Sequence, residues 1–209
     1  MPPLPAKERE ILILLFTDYS KDYNASSLSK KVGITRRGAL KIVKKLREQE
    51  MVIPRKYGKA VFYKVNLNNA YARQRIIVAL MEKAREKAKR WLFEFEKLGT
   101  HAEIVIIFGS AIRNYEKAHD IDLVVVYQQK KEAAIQKEME FRRNISLKPI
   151  HLVRQSPADF VRNLKKPDPV LLNALRLGCV LKGYEKIVDA VDGAQKAHGL
   201  FAVPEPESR

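Results

Sequence analysis

Apolar residues crowd one broad side of a helix from Lys7 to Tyr19, at Ile11, Leu12, Leu14, Leu15 and Phe16. Turn and N-cap chemistry follows at Asn24, Ser26 and Ser27, and a second helix is expected over about Ser27 to Val32. Gly33, the residue type that most easily takes positive φ, ends it, and Thr35 caps a third helix running to about Gln49. Two helices with so short a break between them make a helix-turn-helix. In MVIPRKYGKAVFYKVN, Val61, Tyr63 and Val65 alternate with Phe62 and Lys64 in the manner of a half-buried strand. Met51 to Arg55 and Ala60 to Val65 therefore form a hairpin around Tyr57-Gly58-Lys59, with a basic tip at Arg55, Lys56 and Lys59.

Farther on, apolar positions recur at Ile77, Leu80, Met81, Ala84, Ala88, Trp91, Leu92, Phe95 and Leu98, which predicts one connector helix over about 69–98 with Trp91 and Phe95 on an exposed apolar stripe. Gly99-Thr100 breaks that pattern. The continuous apolar run Ile104 to Phe108 reads as a strand buried on both faces, Ile121 to Tyr127 as a second strand and Pro149 to Arg154 as a third. A helix rich in Lys and Glu fills Gln129 to Arg143, and helices return from Pro157 through about Val191. The final FAVPEPESR is expected to be disordered.

Charge changes the picture of the first half. The chain has 40 Lys and Arg against 24 Asp and Glu, a formal net charge of +16. Residues 1–100 hold 23 basic and 10 acidic side chains, residues 101–209 only 17 and 14. Between Lys30 and Lys64 stand 12 basic residues and two acidic ones, Glu48 and Glu50. On the third helix Ala39, Ile42, Val43 and Leu46 share one stripe, and Arg36, Arg37, Lys41, Lys44, Lys45 and Arg47 occupy the remaining surface. A basic helix beside a basic wing fits a DNA groove and its phosphates. The expected DNA-binding residues are Thr35, Arg36, Arg37, Lys41, Lys44 and Lys45 with Arg55, Lys56 and Lys59 on the wing. The segment LSKKVGITRRGALKIVKKLREQEMV resembles the winged helix-turn-helix of bacterial and archaeal transcription regulators.

Other classes fall away. The longest apolar runs are far short of the roughly 20 residues a spanning helix requires, so membrane insertion is set aside. Anionic lipid is the competitor to nucleic acid as polyanion for the basic half, and no membrane partner is expected. MPPLPAKERE lacks the apolar stretch of a signal peptide, and the single Cys179 forms no internal disulfide; a cytoplasmic location is expected. The four histidines show no zinc-ligand spacing, and Cys179, inside an apolar run, reads as an inert core thiol.

The second chemical motif is IVIIFGSAIRNYEKAHDIDLVVVY. Residues i and i+2 of a strand point to the same side, so Asp120 and Asp122 present two carboxylates together, a pair suited to Mg²⁺. Gly109 lets backbone approach phosphates, and Ser110 can donate to them. This segment resembles the signature of the DNA polymerase β-type nucleotidyltransferase superfamily, most closely its minimal branch, over about residues 102–185. The resemblance implies catalytic and metal-ligating roles for Asp120 and Asp122 and nucleotide-binding roles for Gly109, Ser110 and Arg113. It also implies a third carboxylate on the next strand, yet no Asp or Glu lies between Glu140 and Asp159; His151 stands nearest that place. Asn114 and His119 also depart from the family's pattern of Gly and Ser at those places.

The expected fold class is a two-domain α+β or α/β chain: a winged helix-turn-helix over 1–67, a connector helix over 68–99, a nucleotidyltransferase-like mixed sheet with flanking helices over 100–192, and a flexible tail over 193–209. The expected function is a DNA-binding transcriptional regulator or adaptor whose transferase-like domain binds a nucleotide or a partner without turnover. The alternative is an active Mg²⁺-dependent enzyme that moves a nucleotidyl group from an NTP to a hydroxyl on a protein, an RNA or a small molecule. Expected partners are double-stranded DNA, an NTP and a second copy paired through the connector helix.

Overall fold

The computed structural model describes residues 4–197, so the FAVPEPESR segment lies outside the described residues. Helix α1 (Ala6–Thr17) leads through the two-residue strand β1 (Tyr23–Asn24) to α2 (Ala25–Val32) and α3 (Arg36–Glu48). Asn24 and Ser27 form a reciprocal capping box at the start of α2, which satisfies two otherwise unpaired N–H groups. Gly33 ends α2 in the left-handed conformation at φ 66°, and the Thr35 side chain accepts from the Gly38 N–H at 3.1 Å to begin α3. Strands β2 (Val52–Tyr57) and β3 (Ala60–Val65) pair antiparallel as the wing, and β1 adds to the far side of β3. This arrangement is a winged helix-turn-helix.

One wing residue departs from the expected alternation. Lys64 is 2% exposed, and its ammonium donates to the carbonyls of Tyr19 at 2.8 Å and Lys21 at 2.5 Å, with Asp22 Oδ1 at 3.1 Å. Burial lowers its pKa, against the pull of Asp22. Lys64 thus anchors the chain after α1 instead of adding to the basic surface.

The expected connector is three helices, α4 (Ala70–Lys87), α5 (Lys89–Glu94) and α6 (Glu96–His101). The break at Ala88 has a packing cause. Ile76, Ile77 and Leu80 belong to one apolar cluster, whereas Ala88, Trp91, Phe95 and Leu98 belong to another, on the opposite side of the second sheet. A straight helix cannot cover both faces of a sheet, so the chain turns as it crosses. Trp91 and Phe95 are consequently buried, stacked with ring centroids 5.9 Å apart, so this part of the stripe packs within one chain, while Met81 farther up the stripe stays exposed.

The second sheet comprises β4 (Ile104–Phe108), β5 (Ile121–Val126), β6 (Ile150–Gln155) and β7 (Cys179–Lys182), in the order β6-β5-β4-β7. β4 runs antiparallel to β5 and β7, and β5 runs parallel to β6. The one-turn helix α7 (Ser110–Arg113) follows β4, and α8 (Glu132–Ile145) joins β5 to β6. Helices α9 (Pro157–Lys165) and α10 (Pro169–Leu177) precede β7, and α11 (Tyr184–Ala197) follows it. Strand β7 falls where helix was expected, because a short apolar run has no period that separates strand from helix. Helix α11 extends to Ala197, past the 193 boundary drawn for the tail.

Period-two alternation divides the core. Ile104, Ile106 and Phe108 of β4, with Val124 and Val126 of β5, pack in one cluster with Phe160, Leu164, Ile187 and Val191. That cluster also contains Ile11, Leu15, Phe16 and Val65, so apolar packing runs without interruption across the boundaries drawn at 67 and 99. Val105, Ile107, Leu123 and Val125 face the other way, onto Trp91, Phe95, Ile135 and Met139. Polar ties reinforce the junction: Arg9 pairs with Glu82 at 3.0 Å and Glu86 at 2.8 Å, and the buried Asp18 accepts from Tyr23 and pairs with Arg176 at 3.3 Å. Cys179 is buried, and that burial raises its thiol pKa. No helix of the described residues is long and apolar enough to cross a membrane.

Candidate nucleic-acid interface and metal centre

Helix α3 buries Ala39, Val43 and Leu46 and turns Arg36, Arg37, Lys41 and Lys44 outward, all exposed. Lys56 and Lys59 are exposed on the wing, where Tyr57 packs edge-on against Phe62 with centroids 5.7 Å apart. No ion pair among the described residues engages Arg36, Arg37, Lys41, Lys56 or Lys59. Four expected members differ. Lys44 lies 4.0 Å from Glu48 in an exposed i,i+4 pair on the same helix. Lys45 is drawn off by Glu8 of α1, with Nζ at 2.7 and 2.9 Å from the two carboxylate oxygens. Arg55 is half-buried within the hairpin. The Thr35 hydroxyl already serves as the α3 cap.

On the second sheet the parallel register places Asp122 opposite His151, and the antiparallel register places it opposite Phe108. Asp120 precedes β5, two residues from Asp122, so both carboxylates lie on the Val124 side of the sheet. His151 Nδ1 is 3.4 Å from Asp120 Oδ2 and 3.7 Å from Asp122 Oδ1. One donor atom from each of the three lies within 4.8 Å of the others, close enough to share one cation. Burial raises the Asp122 pKa, the Asp120 charge adds to that rise, and His151 opposes it. Two carboxylates beside an imidazole suit a divalent cation. Mg²⁺ needs only one or two carboxylates besides substrate phosphates and water, while the imidazole widens the fit toward first-row transition ions.

Gly109 supports this centre in a way the sequence did not disclose. Its φ is +81°, and a Cβ there would lie 2.3 Å from Asp122 Oδ2. The close approach that glycine permits is therefore to the carboxylate itself. Ser110 opens α7, and Arg113 at its end is exposed, with no ion pair among the described residues.

The loop between α7 and β5 is held by a residue that no motif flagged. Lys148 Nζ donates to the carbonyls of Glu116, at 3.2 Å, and Ala118, and lies 4.7 Å from the Tyr115 ring centroid. Arg90 covers the same ring at 3.9 Å, and Trp91 packs edge-on against it at 5.5 Å. Nothing in the local sequence around Lys148 announces this role, because its partners are some 30 residues away.

No family model and no curated protein matches the chain. Among solved structures it is similar to a variant of ZitR from Lactococcus lactis, with 21% identity and a TM-score of 0.32 over 46% of this chain and 61% of that one. It is also similar to the adhesin competence repressor AdcR from Streptococcus pyogenes, with 13% identity and a TM-score of 0.35 over 66% of this chain and 78% of that one. The chain thus spans about three fifths of the length of that ZitR.

Proposed function

We propose that this chain is a DNA-binding transcriptional regulator or adaptor, in which the winged helix-turn-helix reads duplex DNA and the second sheet carries a nucleotidyltransferase-like site. The observation that carries this reading is the unpaired basic surface of Arg36, Arg37 and Lys41 on α3 beside Lys56 and Lys59 on the wing. In this reading the guanidinium groups at the start of α3 enter a major groove, and the wing lysines meet adjacent phosphates. Six or more phosphate contacts predict a loss of roughly a thousandfold in affinity between 50 and 200 mM salt. Fluorescence anisotropy on a labelled duplex pool tests it; flat salt dependence, or full binding after Arg36→Ala with Arg37→Ala, rules it out.

In the transferase-like half, Asp120, Asp122 and His151 are the residues that would hold a divalent cation, Mg²⁺ in the nucleotide-bound form. Gly109 and Ser110 would seat nucleotide phosphate, with Arg113 a further positive charge. The third ligand is an exposed imidazole where the resemblance implies a carboxylate, which favours nucleotide binding without turnover.

A second reading, an active nucleotidyltransferase, is favoured by one distance. His151 Nδ1 lies within 3.7 Å of both carboxylates, where an imidazole can accept the proton of an attacking hydroxyl. A bound divalent ion would supply charge neutralisation at the phosphates. Incubation with labelled NTPs and Mg²⁺, with and without cell extract, separates the two: label transfer lost in Asp120→Asn and Asp122→Asn establishes the enzyme, and its absence leaves binding alone.

A further inference from the structure

A cavity of about 490 Å³ lies where α1, α2, α4 and α10 meet, away from both the basic face and the Asp120 cluster. Its size is that of a pocket for a small organic ligand, roughly 300 to 1,000 Å³. Ile13, Leu14 and Leu177 supply apolar wall. Five cationic side chains line it against two acidic ones, Glu10 and Glu86. Both acids are already engaged, Glu10 with Lys7 at 2.9 Å and Glu86 with Arg9 at 2.8 Å. Arg176 pairs with Asp18 beneath the wall. Lys31, Lys83 and Lys87 have no ion pair among the described residues. Among the described residues the Lys83 ammonium makes one hydrogen bond, a long one, 3.5 Å to the Arg176 carbonyl.

We infer that this cavity is a binding site for a small amphipathic organic anion, its apolar body against Ile13, Leu14 and Leu177 and its charged head among Lys31, Lys83 and Lys87. Burial depresses the Lys83 pKa, Cys179 opposes that shift and the neighbouring Lys87 adds to it. No carboxylate pairs with Lys83 among the described residues, so an anion supplies a counter-charge. An apolar wall with a few convergent charged groups gives both affinity and orientation. Neutral ligands of the same shape gain only the first. The wall draws on the helix-turn-helix through Lys31 and on the sheet half through Arg176 and Leu177, so an occupant touches both.

The test is calorimetric titration of the full chain with 1-naphthalenesulfonate and with its neutral analogue 1-naphthalenemethanol. The sulfonate is expected to bind one per chain, with the neutral compound weaker by about tenfold or more. Lys31→Gln with Lys87→Gln, both exposed positions, should cost the sulfonate about tenfold while leaving the melting temperature in place. Leu177→Trp, at a wall residue 59% exposed, should abolish binding by filling the cavity. The Arg36→Ala, Arg37→Ala chain should bind the sulfonate as the parent does, which separates this site from the DNA-binding surface. Absence of sulfonate binding, equal binding of both compounds, or unchanged binding in the lysine double variant or in Leu177→Trp overturns the inference, as does loss of binding in the arginine variant.

Discussion

The Tyr19 hydroxyl donates to the Leu164 carbonyl at 2.6 Å, a buried bond that ties the helix-turn-helix to α9 of the sheet half. Tyr19 is fully buried, and the same apolar cluster surrounds both ends of the bond. Tyr19→Phe removes the donor and leaves a carbonyl unsatisfied, at an expected cost of about 1–2 kcal/mol. Because the cluster is shared, urea denaturation should show one transition, coincident by circular dichroism and by Trp91 fluorescence. Two separated transitions would show that the halves unfold independently.

Glu8 holds Lys45 away from the basic face. Glu8→Gln should release it, strengthen DNA binding and steepen the salt slope by about one phosphate contact. Lys45→Ala in the parent should change affinity little, and Lys41→Ala should weaken it. Anisotropy titrations at three salt concentrations check the order; equal losses for Lys41→Ala and Lys45→Ala would refute the pairing as a functional restraint.

Gly109→Ala forces a side chain onto Asp122 Oδ2 at a backbone conformation that only glycine adopts easily. The expected destabilisation is about 1–3 kcal/mol, with divalent-cation affinity lost in parallel. Thermal melting and Mn²⁺ titration followed by electron paramagnetic resonance measure the two. Ser110→Ala, which creates no such contact, should leave stability intact.

The Asp122 carboxyl titrates above its ordinary value, through burial first and the Asp120 charge second. Its folded pKa thus exceeds its unfolded one, so the ionised form opposes folding at neutral pH. That opposition fades as the pH falls through the window between the raised value and the ordinary carboxylate value of about 4. In chelator, Asp122→Asn should melt at or above the parent at pH 7, and the gap should close on acidification. Excess divalent cation should reverse the order by stabilising only the parent. A variant that melts lower in chelator at pH 7 would show that Asp122 is a structural bond acceptor instead.

The sequence by itself determined what depends on near neighbours. The capping of α2 and α3, the glycine stop at Gly33, the amphipathic face of α3 and the two-residue spacing of Asp120 and Asp122 are all set within a few positions of chain. Only the tertiary structure decided the rest, because those features depend on which distant residues meet. The fold alone put Lys64 inside, bent the connector at Ala88 to serve two sheet faces, turned 179–182 into an edge strand, paired Lys45 with Glu8, and set His151 opposite Asp122. Each outcome turns on burial or charge pairing between segments that sequence spacing does not bring together, and such long-range terms override local pattern wherever the two conflict.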